Sequence, residues 1–447
     1  MLSLKGRGSA FQAGELKVVL ILGFLLLGNS LARQVAGIVG LSGFLSASGV
    51  NSMLLVMAID YLIVLAVSAV QSLIVDKFDR KKLLAGICLV FMLVFICLRM
   101  LFLFHAPEWL SYAIMYLVAE QQLIFFPLIF WVLANDICNM AQSKRLFPVI
   151  SSWSFVGKIL GIGVAAASPA LFAKIGIPTE EILTLNVLIY LIAFLLIVFG
   201  LKNQEIRKTT QTKETVRETM AEGWDFISNV PSFRYLIIAI LAMAVCDTIV
   251  EFRFLVISDA SFPGQGAYQQ FYSLYRLGAT LLSFLMQTFF TSQIISRLNL
   301  KNVFFILPTV TLLGSVGMFF LPGLSMALVA MVSLKLMRET VDESSRKSFE
   351  ALVPEERRGR VSTFMDSYLP AIGTVAACLV TGIIVLLGLG FGRDLSGVYI
   401  AVAIAGAIGA IWSIVKMRTC YDSSLLNWRL KRRQRGMAAD LLDKLTF

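Results

Sequence analysis

The chain has 447 residues, 58% of them apolar, and a mean hydropathy of +0.81, which is more apolar surface than a soluble domain of this length can bury. A water-soluble enzyme is excluded, and an integral membrane protein is expected. The formal charge of +11 lies in short loops between apolar runs, a placement that suits cytoplasmic loops and anionic lipid headgroups and not a water-exposed face that reads nucleic acid.

A bilayer core takes about 20 consecutive apolar residues per helix. At that window the chain offers runs near 18–41, 52–75, 83–105, 110–134, 148–172, 181–201, 234–257, 268–292, 303–321, 324–343, 362–388 and 396–416, so an all-α membrane protein with 12 transmembrane helices is expected. Lys5, Arg7 and Lys17 precede the first run as in a secretory signal. That run is too long and lacks a small-residue cleavage site, so it counts as helix 1. Lys and Arg then concentrate on alternate connections: Lys77, Arg80, Lys81 and Lys82, next Lys144 and Arg145, next Arg357, Arg358 and Arg360, and last Arg429, Lys431, Arg432, Arg433 and Arg435. By the positive-inside rule both termini are cytoplasmic, as in a bacterial inner membrane protein.

The 202–232 stretch is the one long polar segment between spans, and it divides the chain into a six-helix bundle at 1–201 and another at 233–417, followed by a basic tail at 418–447. Val216, Met220, Trp224 and Ile227 recur at helical spacing, which predicts an amphipathic helix on the inner membrane surface. An internal repeat supports the two halves: the loop from Ile74 to Leu83 closes helix 2 as the loop from Ile294 to Val303 closes helix 8. The first copy, with Asp76 and Asp79-Arg80-Lys81-Lys82, resembles the loop signature of the major facilitator superfamily, which implies two six-helix bundles. A monomer is expected.

Six cysteines (Cys88, Cys97, Cys138, Cys246, Cys378 and Cys420) lack CxxC spacing, and the single histidine, His105, flanks Pro107 and Trp109 at the end of an apolar run. Free thiols, no metal, no cofactor and no catalytic residue are expected.

Charges inside spans are the candidate functional residues, because each costs ~2.5–3.5 kcal/mol at the bilayer centre and needs a partner or a task. Asn29 and Arg33 share a face of helix 1; Asp60 lies mid-helix 2, Arg99 late in helix 3, Glu120 in helix 4 beside Gln121 and Gln122, and Lys158 in helix 5. Helix 7 has Asp247 and Glu251 at i,i+4 with Arg253 turned away, and helix 8 has Tyr275 and Arg276. Helix 10 aligns Lys335, Arg338, Glu339, Asp342 and Arg346, so Lys335/Glu339 and Arg338/Asp342 can pair at i,i+4; the stripe is either a gate or a cargo contact. Arg33, Lys158, Arg253 and Arg276 have few acidic partners on their own helices, which favours a small anionic cargo held by forked guanidiniums.

Ala119-Glu120, then Phe130-Trp131 with Ala134-Asn135-Asp136, then Ser143-Lys144-Arg145-Leu146-Phe147-Pro148 resemble the nucleotide transporter family of plastids and obligate intracellular bacteria. Arg33 in helix 1, Val250-Glu251-Phe252-Arg253 in helix 7, and Pro354 to Asp366 with Gly359-Arg360 extend the likeness over nearly the whole chain. The resemblance implies exchange or import of nucleotides. Arg33-Gln34 stands where that family has Arg-Asp, Gln121-Gln122 where a Trp follows the helix-4 Glu, and Ala371-Ile372-Gly373-Thr374 where helix 11 carries a lysine, so a distant branch is expected. No phosphate-binding loop that would support nucleotide hydrolysis is present.

These features suggest a secondary carrier of a nucleotide or related phosphorylated anion that works by alternating access. Asn29, Arg33, Lys158, Arg253, Tyr275 and Arg276 would hold the cargo; Asp60, Glu120, Asp247 and Glu251 would pair with these cations or carry protons. Asp76, Asp79, Arg80, Asn135, Asp136, Lys144, Arg145, Lys335, Arg338, Glu339 and Asp342 would gate, with Asn135-Asp136 meeting Lys144-Arg145 as a latch. Anionic lipid is the expected partner of the basic loops and tail. The rivals are a proton-coupled symporter or exporter of a non-nucleotide solute, a lipid flippase, and a non-transporting receptor or scaffold.

Overall fold

Apolar runs of this length leave the backbone no water to bond with, so every peptide group in them must be satisfied within a helix. The computed structural model describes residues 15–74, 79–138, 140–202, 230–350, 353 and 361–445, with side chains for all but 68–74, 140–141, 144, 350 and 422–445. The helices are α1 (Glu15–Ser48), α2 (Met53–Ile74), α3 (Arg80–Leu103), α4 (Glu108–Ile137), α5 (Met140–Ile175) and α6 (Leu183–Leu195), followed by α7 (Pro231–Ser261), α8 (Gln265–Leu285), α9 (Ile306–Phe320), α10 (Leu324–Met337), α11 (Leu369–Phe391) and α12 (Ser396–Leu445). Among the described residues 10 helical stretches are long and apolar enough to cross a membrane. The other two expected spans fall on α8, which carries Gln265, Gln269, Gln270 and Arg276, and on α10, whose regular part is only 14 residues.

Both interruptions come from π-helical turns, which hold one residue more per turn than an α-helix. Met286–Phe290 extends α8, Arg338–Asp342 extends α10, and Phe364–Tyr368 opens α11, while Leu196–Gly200 extends α6. Beyond them α8 runs on through Thr291–Leu298, and α10 through Glu343–Glu350. Polar residues shape the described ends of the repeated loops. Asp79 caps α3 by accepting from the backbone N–H of Lys81 at 2.9 Å and of Lys82 at 3.4 Å. Asn299 turns the second copy with φ at +62°, a left-handed conformation that Asn tolerates better than most residues. Asp76 and the predicted 216–227 amphipathic helix lie outside the described residues.

The chain forms two compact units. In unit 1, α1 is the most enclosed helix and packs on α4, α5 and α6, while α3 packs on α4 and α6. Unit 2 repeats the scheme six helices on: α7 packs on α10, α11 and α12, and α9 on α10 and α12. Glycines allow the close approaches. A Cβ at Gly161 of α5 would lie 2.6 Å from the Leu31 carbonyl oxygen of α1, and one at Gly373 of α11 would lie 2.6 Å from the Ala244 Cβ of α7.

The units do not coincide with the sequence halves expected at 1–201 and 233–417. Unit 1 comprises the described residues within Met1–Gly49, Val70–Lys213 and Phe262–Gly278, and unit 2 those within Val50–Ala69, Glu214–Ser261 and Ala279–Phe447. Side-chain chemistry explains both exchanges. In unit 1, Gln265 of α8 donates to the Tyr112 hydroxyl at 3.1 Å, and buried Gln269 donates to the Ala165 carbonyl at 2.7 Å and to Ser168 at 2.9 Å. In unit 2, Leu65 of α2 packs against the core built around Met243, Phe304, Phe349 and Met365.

Candidate functional site

Unit 1 holds five of the six residues expected to bind cargo: Asn29, Arg33, Lys158, Tyr275 and Arg276. α1 aims adjacent residues at two different helices. Arg33 meets Glu120 of α4 at 3.1 Å, and the side chains are 13% and 25% exposed, so the pair is partly shielded from solvent. Gln34, next along α1, accepts from the Arg276 guanidinium of α8 at 2.9 Å, and that guanidinium carbon lies 5.9 Å from the centre of the Tyr272 ring. Tyr275 is buried with its ring 5.5 Å from that of Tyr272. Lys158 follows Gly157, one of the glycines at which α5 closes on α1.

Asn29 is turned into the unit's interior. Its Oδ1 accepts from the Tyr190 hydroxyl of α6 at 2.8 Å, and its Nδ2 reaches the Gln122 carbonyl at 3.5 Å. Asn186 of α6 donates to the Ala32 carbonyl at 3.2 Å, and Ser30 bonds Ser154 of α5 at 2.7 Å. Nothing in the sequence singles out Tyr190, Asn186 or Ser154, because each is one polar residue in an apolar run. Gln34 registers there only as a departure from the family pattern, although an amide beside Arg33 in a span is a readable signal.

At one end of unit 1 the expected latch is wired differently. Asp136 is 3% exposed and binds Arg80 of α3, whose Nη1 lies 2.6 and 2.5 Å from the two carboxylate oxygens. Arg145 meets Glu15 of α1 at 2.7 Å, and Gln142 donates to the same oxygen at 3.1 Å. Asn135 bonds back to the Trp131 carbonyl at 2.9 Å. The reason is helical geometry: Asp136 points toward the α3 N-terminus, and Arg145 lies on the face of α5 that packs on α1. The Lys144 side chain lies outside the described residues.

The sixth cargo candidate, Arg253, belongs to unit 2. It is 9% exposed, its Nη1 donates to the Tyr399 hydroxyl of α12 at 3.2 Å, and its Nε has no hydrogen-bond partner among the described residues. Asp60 is buried in this unit, and Glu251 is half-buried one turn after Asp247. The expected Arg338/Asp342 pair is replaced. Arg338 reaches Asp247 of α7 at 2.6 Å, and Asp342 is taken by Arg346 at 3.0 Å. Arg346 also binds Asp366 of the α11 π turn at 2.8 Å, and Lys347 bonds the same carboxylate. The π turn from Arg338 to Asp342 accounts for the change, since its extra residue moves i and i+4 off a common line. Lys335 and Glu339 approach only to 3.9 Å, and Glu339 also accepts from Ser283 at 3.3 Å. A small cavity of about 40 Å³ opens beside this network, lined by Asp247, Arg338, Asp342 and Arg346 and by apolar residues of α7, α9, α11 and α12.

Two helical units with one packing scheme, each with charges buried in its spans, form a fold shared with solved membrane transporters. A mutant form of the nucleoside transporter NupG superposes with a TM-score of 0.62 at 14% identity, covering 90% of this chain and 99% of that one. A bacterial homologue of the iron transporter ferroportin gives 0.62 at 14%, covering 91% and 100%, and an auto-inhibited POT family peptide transporter gives 0.62 at 10%, covering 91% and 96%. The fold is therefore of the major-facilitator type. The family model described as TLC ATP/ADP transporter matches residues 92–338, more than half of the chain, and the protein belongs to that family. No curated protein matches it by sequence.

Proposed function

We propose that the protein is a secondary carrier that moves a nucleotide or related phosphorylated anion across a bacterial inner membrane by alternating access, as a monomer with both termini cytoplasmic. The observation that supports it is the placement of two guanidiniums at adjacent residues of α1: Arg33 meets Glu120 of α4 at 3.1 Å, and Gln34 accepts from Arg276 of α8 at 2.9 Å. A phosphate oxygen can take the place of the Glu120 oxygen that Arg33 binds through Nη2, so binding exchanges one oxyanion for another. The name of the matching family supports the same cargo class. Basic loops and the tail beyond α12 would hold anionic headgroups.

Uptake of labelled ATP, ADP and other nucleotides into proteoliposomes tests this reading. Arg33→Gln and Arg276→Gln should each lower uptake about tenfold or more, the loss expected of a charge-assisted hydrogen bond. Arg99→Gln should leave it unchanged, because Arg99 and Glu181 form an exposed pair with side chains 48% and 38% accessible. If no phosphorylated solute moves and a pH gradient drives an unphosphorylated solute or a lipid instead, the rival carrier reading is correct. Failure to move any solute, with tail-dependent capture of a partner, would favour a receptor.

A further inference from the structure

Gln34 carries an N–H donor with no partner among the described residues. It lies midway along α1, is 4% exposed, and accepts at Oε1 from Arg276 Nη2 at 2.9 Å. A guanidinium offers only donors, so this bond fixes which end of the amide faces Arg276 and leaves the Nε2 N–H pair for another acceptor. Nε2 makes no hydrogen bond to a described residue and, unlike Arg33 Nε, it is not enclosed. The result is an amide donor inside a membrane span, held in place and still accessible.

Both sides of this contact are braced within unit 1. A Cβ at Gly161 of α5 would lie 2.9 Å from the Gln34 Cβ, so the glycine clears the base of the side chain while α5 backs it closely. The Arg276 guanidinium carbon lies 5.9 Å from the centre of the Tyr272 ring, which constrains it from a second direction. A buried polar group with an unused donor is costly, so Nε2 calls for an acceptor. The guanidinium beside it selects an acceptor that carries negative charge. A phosphate group fits both, because one of its oxygens can take the amide N–H and another the guanidinium.

We propose that Gln34 is a cargo-contact residue: its Nε2 donates to an oxygen of the phosphorylated anion while its Oε1 aims the Arg276 guanidinium at the same group. The amide does this without placing a negative charge beside the cargo, as a carboxylate of the same length would. Gln34 stands where the family pattern has Asp, so the donor is this chain's own. This inference rests on the phosphorylated-cargo reading and adds to it a neutral donor beside a guanidinium.

The test is calorimetric titration of the purified full-length protein with ATP and with inorganic phosphate. Gln34→Leu, a side chain of similar size, should weaken whichever of them binds by about tenfold or more, the cost of losing a hydrogen bond to a charged group. Arg276→Gln separates contact from positioning. In that background Gln34→Leu should still cost about threefold or more, because the Nε2 bond goes to the cargo itself. No further loss there would mean that Gln34 acts only through Arg276, and the proposal would be overturned. Should Gln34→Leu fail to fold, Gln34→Glu, which keeps the length and the acceptor for Arg276, should weaken binding at least as much, and unchanged affinity would be equally fatal. ATP binding unmoved by Gln34→Leu would leave the carrier reading standing and end this one. Inorganic phosphate binding that depends on Gln34, with no response to ATP or any other nucleotide, would sink the nucleotide reading and leave the donor in place. If the unaltered protein binds neither, both readings fail.

Discussion

Arg80 and Asp136 show what a buried charge requires of its neighbours. Their side chains are 10% and 3% exposed, so neither can be rehydrated if the other is removed. Asp136→Ala should therefore destabilise the protein by about 3 kcal/mol, whereas Arg80→Leu with Asp136→Leu should recover most of that loss, because an apolar pair of similar volume leaves no orphan charge. Thermal unfolding in one detergent checks both variants, and a double variant no more stable than Asp136→Ala would refute the account. The charged residues themselves were legible, since cost alone marks a charge in a span as significant. Their partners were not: sequence spacing reports i,i+4 neighbours, but Arg33, Arg80, Arg145 and Arg338 all pair across helices. Asn29 stands out beside Arg33, yet its partner is Tyr190, which an apolar pattern records only as one more large side chain.

At the level of the helix, hydropathy located the elements and fell short at their ends. The expected runs at 18–41 and 234–257 are the centres of Glu15–Ser48 and Pro231–Ser261, whose outer turns are more polar and extend past the apolar windows. The π turns were invisible, because one extra residue in a turn leaves composition unchanged; only the failure of Arg338 to meet Asp342 reveals the turn's effect. Glycines act as packing devices. Gly161→Ala forces a Cβ to 2.6 Å from the Leu31 carbonyl oxygen and 3.0 Å from its Cα, so α5 must withdraw from α1 along its length. A loss of about 1–3 kcal/mol is expected, as for other overpacked positions. Gly163, two residues on, has nothing within 4 Å of its would-be Cβ. Gly163→Ala should instead gain about 0.5–1 kcal/mol from helix propensity, and equal effects at the two sites would show that contact with α1 is not what selects Gly161.

For the whole molecule, the repeat was legible from two short loops, and the packing scheme that recurs six helices on agrees with its scale. What the repeat concealed is that a sequence half is not a structural unit. Residues 262–278 belong to unit 1, where Gln265, Gln269 and Arg276 bond Tyr112, Ala165, Ser168 and Gln34, and residues 50–69 belong to unit 2. A fragment ending in the polar 203–229 stretch would therefore lack donors that its own buried acceptors require. Gln269 is fully buried, and its loss alone would leave the Ser168 and Ala165 oxygens without that donor. Two fragments divided between residues 203 and 229 should accumulate in the membrane and copurify when expressed together, and each should be degraded or aggregate when expressed alone. Gln269→Leu should weaken their association, because the side chain of similar size keeps the packing and removes both hydrogen bonds. Stable accumulation of the first fragment by itself would contradict the exchange of segments, since a unit that folds without residues 262–278 has no need of their hydrogen bonds.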